Sequence, residues 1–183
     1  MKNGKIVLAE VGVGPVSMAF GKLVWDRPDI EVLMFEPHPK YYSDIVKECN
    51  GRSNVKIYNC AIGDYDGKAY FYDDETSSSL DGISSPIIQN NTPERNKNKI
   101  EVDVKRISNF DDGSIDFLRL DTEGAEWFTI KHLVSRPKQI TVEIYNDLAT
   151  YINPYLLEIE NWARDNGYTR VAVQDSDFIY ERK

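Results

Sequence analysis

Short apolar runs alternate with helix-spaced stripes along most of the chain. Lys5 to Val11 is mostly apolar, as expected of a parallel strand covered on both faces. After Gly14-Pro15, Val16, Ala19, Phe20 and Leu23 recur at i, i+3, i+4 and i+7 and predict a helix. Glu31 to Phe35 reads as a second strand. Pro37-His38-Pro39 breaks the chain, and Tyr42, Ile45, Val46 and Cys49 form the next helical stripe. Asn54 to Ala61 predicts a third strand, and Lys68 to Tyr72 a fourth after the Asp66-Gly67 turn.

The second half repeats the alternation. Ile100 to Arg106 and Ile115 to Leu120 read as strands, Gly124 to Val134 as a helix, and Ile140 to Ile144 as another strand. A last helix has Asn153 as cap, Pro154 at its first position and Gly167 at its exit. Thr169 to Val173 and Phe178 to Arg182 predict a hairpin closed by Asp175-Ser176-Asp177. Between the halves, Asp73 to Lys99 is rich in Asp, Ser, Asn and Pro and lacks periodicity, which predicts a polar loop or lid. The order predicts one α/β domain over residues 1–183: a mostly parallel sheet, helices on both faces and a C-terminal antiparallel hairpin. Ligands in such sheets bind outside the carboxyl ends of the strands, here after Val11, Phe35, Cys60, Leu120 and Ile144.

Composition narrows the function. The 183 residues suffice for one domain with its own core, and the net charge of −8 speaks against nucleic acid, whose phosphates call for concentrated Lys and Arg. No apolar run spans a bilayer and no signal peptide opens the chain, so the expectation is a cytoplasmic protein without a membrane partner. Cys49 and Cys60 lack metal-ligand spacing and read as reduced and buried.

The strand ends carry the chemistry. Glu10-Val11-Gly12-Val13-Gly14 is a glycine turn that lets a ligand approach the backbone. Ser17 stands where a dinucleotide fingerprint needs its third glycine, and Glu10 would repel a pyrophosphate. An acid there suits instead a ligand carrying an ammonium, as S-adenosylmethionine does. Phe35-Glu36-Pro37 places a carboxylate where ribose hydroxyls are bound in related sheets. Asn59, Ala61 and Ile62 follow the third strand and are candidates to line an adenine pocket. Arg119-Leu120-Asp121-Thr122-Glu123-Gly124-Ala125-Glu126 puts three acids within six residues after a strand. Helix capping explains one of them.

These strings, together with Pro37-His38-Pro39, Ala61-Ile62-Gly63-Asp64, Ser78-Ser79-Leu80 and Asp116-Phe117-Leu118, resemble the FkbM family of methyltransferases. The resemblance runs from Glu10 to Glu143. It departs at Glu10, where Asp is usual, at Val13-Gly14-Pro15, and at Ser108-Asn109. It implies a Rossmann-like class I methyltransferase fold with a seven-stranded sheet. It further implies S-adenosylmethionine as cofactor and O-methylation of a sugar or other small-molecule hydroxyl. Glu10, Gly12, Gly14, Glu36, Pro37, Asn59, Ala61, Ile62 and Asp121 are then the expected cofactor contacts.

Asp121 or Glu123 is the candidate general base, with Glu143, His38 and Asn146 behind them. A Mg²⁺ held by Asp121 and neighbouring acids is a variant, but no dedicated ligand set stands out and no metal ligand is assigned. His132 is expected on a helix near the surface, and Trp127 in the core. A nicotinamide-dependent oxidoreductase and an inactive nucleoside-binding domain are the competing readings. The compact chain leaves the acceptor side to the 73–99 segment, with Ser78 and Ser79 near the cofactor, or to a partner domain or second copy.

Overall fold

The chain enters its core at once. In a computed structural model, β1 (Ile6–Val11) lies parallel to β2 (Ile30–Phe35), and α1 (Pro39–Cys49) leads to β3 (Val55–Tyr58). Then follow β4 (Ala61–Ile62), β5 (Gly67–Tyr72), β6 (Ser79–Leu80) and β7 (Lys99–Lys105). The remainder is β8 (Phe117–Leu120), α2 (Glu126–Ile130), β9 (Gln139–Glu143), α3 (Leu156–Asp165), β10 (Tyr168–Gln174) and β11 (Asp177–Arg182). The structure describes residues 4–14, 24–72, 78–81, 99–144 and 153–183. The predicted helix over Val16 to Leu23, with Ser17, and the candidate Asn146 lie outside them.

Seven strands form one sheet in the order β10-β11-β9-β8-β1-β2-β3. β1, β2, β3, β8 and β9 are mutually parallel, and the β10–β11 hairpin adds antiparallel at the β9 edge. Alternation along the strands separates two cores. Val7, Ala9, Val11, Leu33 and Phe35 pack with Ile130 of α2 and Ile159 and Ala163 of α3. Leu8, Val32 and Met34 pack on the other face with Ile45 and Cys49 of α1. Both cysteines are buried and free. Helices therefore cover both faces, as the alternating pattern predicts. Among the described residues no helix is long and apolar enough to cross a membrane.

Three expectations need correction. The apolar stretch 54–61 is not one strand. After Tyr58, whose carbonyl accepts from Glu36 N, the chain leaves the main sheet, and Ala61 and Ile62 pair with Val104 and Lys105. The result is a second sheet, in the order β4-β7-β5-β6, around Ala61, Phe71, Leu80, Val102 and Val104. Its last strand, Ser79–Leu80, falls inside the stretch expected to be a polar loop; residues 73–77 and 82–98 lie outside the described part. The helix expected over Gly124 to Val134 is only Glu126–Ile130. At its start Glu123 and Gly124 have φ of +53° and +104°, outside helical space. Beyond its end the Asp111 carboxylate accepts from Val134 N and Ser135 N, both at 2.7 Å, and draws the chain away.

Candidate active site

Because β8 lies beside β1, the glycine turn and the acidic loop meet at the carboxyl edge of the sheet. Asp121 N donates to Val11 O at 3.0 Å, and Gly12 N to Phe35 O at 3.1 Å. Gly12 has φ +80°, and a Cβ there would stand 1.7 Å from the Asp121 carbonyl oxygen. No side chain fits. Gly14 also has positive φ, +60°, but open space around it.

A cleft runs across this junction. Gly12, Gly14, Glu36 and Pro37 form one wall and Asp121, Thr122 and Glu123 another. Ala61 and Ile62 line it from β4, and Phe71, Ser78 and Leu80 from the rest of the small sheet. Of the sequence-predicted contacts, Gly12, Gly14, Glu36, Pro37, Ala61, Ile62, Asp121 and Glu123 are thus brought together.

Glu36 does more than face the cleft. Its Oε2 accepts from Gly14 N and its Oε1 from His38 N, both at 2.7 Å, so one carboxylate ties the glycine turn to the start of α1. Burial pushes this carboxyl up, the two N–H groups oppose that, and the Asp121 charge adds to it. His38 is the N-cap of α1: its Nδ1 accepts from Lys40 N at 3.2 Å and its ring lies 4.4 Å from Tyr41. Its ring nitrogen is thus engaged in holding the start of α1.

Two predicted contacts are placed elsewhere. Asn59 is not on the cleft wall; its amide donates to the carbonyls of Glu36 and Pro37 at 2.9 and 3.0 Å and braces that turn. Glu10 is fully buried on β1 beside its cross-strand neighbour Arg119, Nη1 to Oε1 3.4 Å. A carboxylate so enclosed is a partner for Arg119 rather than an exposed grip for an ammonium. Arg119 also reaches Asp121, Nη2 to Oδ2 3.1 Å. Burial alone would lower its guanidinium pKa, but Asp121, Glu10 and Asp177 together raise it. An arginine between two leucines of a central strand, with Glu10 on another, was the available signal for this pair.

Glu126 explains one acid of the cluster as architecture. Fully buried at the first turn of α2, its Oε1 accepts from Thr122 N, Thr122 Oγ1 and Gly124 N at 3.2, 3.0 and 2.9 Å. Burial pushes its carboxyl up. Its other oxygen has no hydrogen-bond partner among the described residues. Glu126→Gln can keep all three bonds through its carbonyl, and should unfold within about 1 kcal/mol of wild type in urea. Glu126→Ala leaves the three donors without their acceptor and should lose about 2–4 kcal/mol. Equal losses in the two variants would show that the loop is held by something else.

Asp121, Glu123 and Glu143 bring one oxygen each to within 4.8 Å of one another. Glu143 comes from the end of β9, and its carboxyl also accepts from Ser176 Oγ at 2.9 Å. Burial, then the hydrogen bond and charge of Asp121, push Glu143 up to about 9. Such spacing suits a divalent cation or a shared proton. Ser176 has no signal in the sequence beyond its place in a hairpin turn. His132, just past α2, instead meets Asp64 at 2.8 Å, away from the acids. Trp127 is partly buried against the main core, as is Tyr155.

The sequence profile of the methyltransferase FkbM domain matches residues 13–170. Among curated proteins no sequence matches. Among solved structures the chain is similar to fibrillarin, a pre-rRNA processing protein of Methanococcus jannaschii. The two are 12% identical over 98% of this chain and 68% of that one, with a TM-score of 0.51. It is also similar to a precorrin-6y C5,15-methyltransferase from Geobacter metallireducens, at 13% identity over 98% of this chain and 80% of that one, TM-score 0.48. At such identity the likeness to fibrillarin speaks for the fold alone, and the profile match over most of the chain speaks for descent. The protein belongs to the FkbM family of S-adenosylmethionine-dependent methyltransferases.

Proposed function

We propose that the protein methylates a hydroxyl oxygen of a sugar or another small, hydroxyl-rich molecule, with Asp121 or Glu123 receiving the proton. The observation that carries this reading is the pair of carboxylates, Asp121 and Glu123, that line the cleft together with the glycine turn. A hydroxyl becomes a competent nucleophile only as it gives up its proton, and a carboxylate within reach contributes roughly 10²–10⁴-fold. The net charge of −8 agrees with a neutral, polar acceptor and disagrees with nucleic acid.

The residues present suit S-adenosylmethionine. Glu36 already accepts two N–H groups, and a carboxylate offers about four acceptor positions, so about two remain for a ribose diol. Ala61, Ile62, Phe71 and Leu80 give an apolar surface for a purine. When bound, the cofactor supplies an electrophilic methyl group on a cationic sulfur. The chain contributes alignment, exclusion of water by the small sheet, and a proton acceptor beside Gly12.

The test is transfer of labelled methyl to a panel of sugars, phenols and small acids. Label in an alkali-stable ether is the expected result. Asp121→Asn or Glu123→Gln should lower turnover at least 100-fold while S-adenosylhomocysteine still binds. Full turnover and normal binding in both variants would remove these acids from the chemistry. Label recovered in an ester or an amine would replace hydroxyl by carboxyl or nitrogen as the acceptor.

A further inference from the structure

The C-terminal hairpin reaches the acids of the cleft, and neither its turn nor Glu143 has a part in the reaction as described so far. Across the sheet, Glu143 pairs in register with Asp177 of β11. The turn between β10 and β11 folds over the end of β9, where Ile144 N donates to Ser176 O at 2.7 Å and Ser176 Oγ donates to Glu143 Oε1 at 2.9 Å. The serine therefore holds both the backbone and the side chain at that strand end. On its other side Glu143 meets Asp121 and Glu123, and Asp121 is held from behind by Arg119 at 3.1 Å.

We propose that Glu143 is a positioning residue that carries a proton at neutral pH and donates it in a hydrogen bond to Asp121, with Ser176 fixing the orientation of Glu143. The pair then holds one proton, on Glu143, and one negative charge, on Asp121 beside Arg119. Three carboxyl groups with oxygens within 4.8 Å of one another cannot all ionise without strong repulsion, which favours a proton kept among them. The surroundings decide which one keeps it. Arg119 lies against Asp121 at 3.1 Å, whereas among the described residues Glu143 is met by the acids Asp121 and Glu123 from the β8 loop and by the neutral hydroxyl of Ser176. Asp177, its strand neighbour, is another acid, itself raised by burial. The protonated Glu143 pins one lobe of the Asp121 carboxylate and leaves the remaining acceptor positions for the methyl acceptor. The idea rests on the methyltransferase reading for its purpose but not for its test.

Infrared spectroscopy of the full chain tests it without any acceptor. Wild type should show a protonated-carboxyl band at pH 7 that titrates away with a midpoint near 9, and Glu143→Gln should lack that component. Glu126→Gln should retain it, although Glu126 is also a buried acid. The Ser176 hydroxyl favours the ionised form of Glu143, so Ser176→Ala should move the midpoint upward. Folded stability should follow the same proton. The raised acid makes its contribution in full below the ordinary glutamate range, and that contribution is lost as pH rises toward 9. Glu143→Gln should flatten this decline in melting temperature. An unchanged band in Glu143→Gln would overturn the proposal. So would loss of the wild-type band on adding millimolar Mg²⁺ at pH 7, which would make the acids a cation site. If the band behaves as expected and no hydroxyl is methylated, the acceptor assignment fails and the proton pair stands.

Discussion

Gly12→Ala should cost the protein its cofactor turn, with a melting temperature roughly 4–20 °C below wild type and no measurable binding of S-adenosylhomocysteine. The new methyl carbon would lie 1.7 Å from the Asp121 carbonyl oxygen, a separation close to a covalent bond. The obstacle is backbone, so no rotamer change relieves it. To make room, β1 and β8 must part at the one place where Asp121 N bonds Val11 O. Overpacking of this kind costs about 1–3 kcal/mol or more, and an L-residue held at φ +80° adds about 1–2 kcal/mol. The sum, roughly 2–5 kcal/mol, corresponds to that fall in melting temperature for a chain of 183 residues. Gly14→Ala is the control. It shares the positive φ but meets none of the described residues within 4 Å, so its cost should stay near the conformational term of about 1–2 kcal/mol. Thermal melts of the two variants side by side decide the matter. Equal melting temperatures would mean that the turn needs glycine for its backbone angle alone.

Glu36 carries the second large effect. Glu36→Gln should weaken S-adenosylhomocysteine binding by at least 100-fold, about as much as Glu36→Ala does. Glutamine is usually the gentle replacement, but here both oxygens accept backbone N–H groups at 2.7 Å, from Gly14 and His38. An amide can satisfy only one of them and turns its own N–H₂ toward the other. Hydrogen bonds to a charged group contribute about 1.5–3 kcal/mol each, and losing one already exceeds tenfold in affinity. The same change removes the carboxylate that would take up ribose hydroxyls. Titration calorimetry is the direct measurement, and a Glu36→Gln protein binding within threefold of wild type would refute the double role.

Both predictions turn on how much of the site could be read from the chain. The glycine turn, the strand-end carboxylate at Glu36 and the acids from Asp121 to Glu126 are legible because a parallel sheet presents its loops at one edge. Their roles are less so. Glu126 reads as a third site acid, yet the fold turns it inward to staple residues 122–124. Asn59 reads as a base-edge contact, yet its amide is engaged by the carbonyls of Glu36 and Pro37. Glu10 reads as an ammonium partner, yet its register neighbour is Arg119. In each case the residue type was informative and the direction of the side chain was not.

Period and punctuation determined the fold class. Apolar runs of strand length alternating with helical stripes leave an open, mostly parallel sheet with a closing hairpin as the arrangement that buries both faces of each strand. Three things waited for the tertiary structure. The break after Tyr58 and the second sheet are invisible locally, because a continuous strand-like run does not say which neighbour each half will pair with. The short α2 is set by Asp111, which takes the N–H groups of Val134 and Ser135 from a distant part of the chain. The proton pair of Asp121 and Glu143, steadied by Ser176, exists only because β8, β9 and the β10–β11 turn converge at one sheet edge. Hydrophobic patterning is a property of neighbours along the chain. Hydrogen-bond direction and charge coupling are properties of neighbours in space, and the fold alone supplies those.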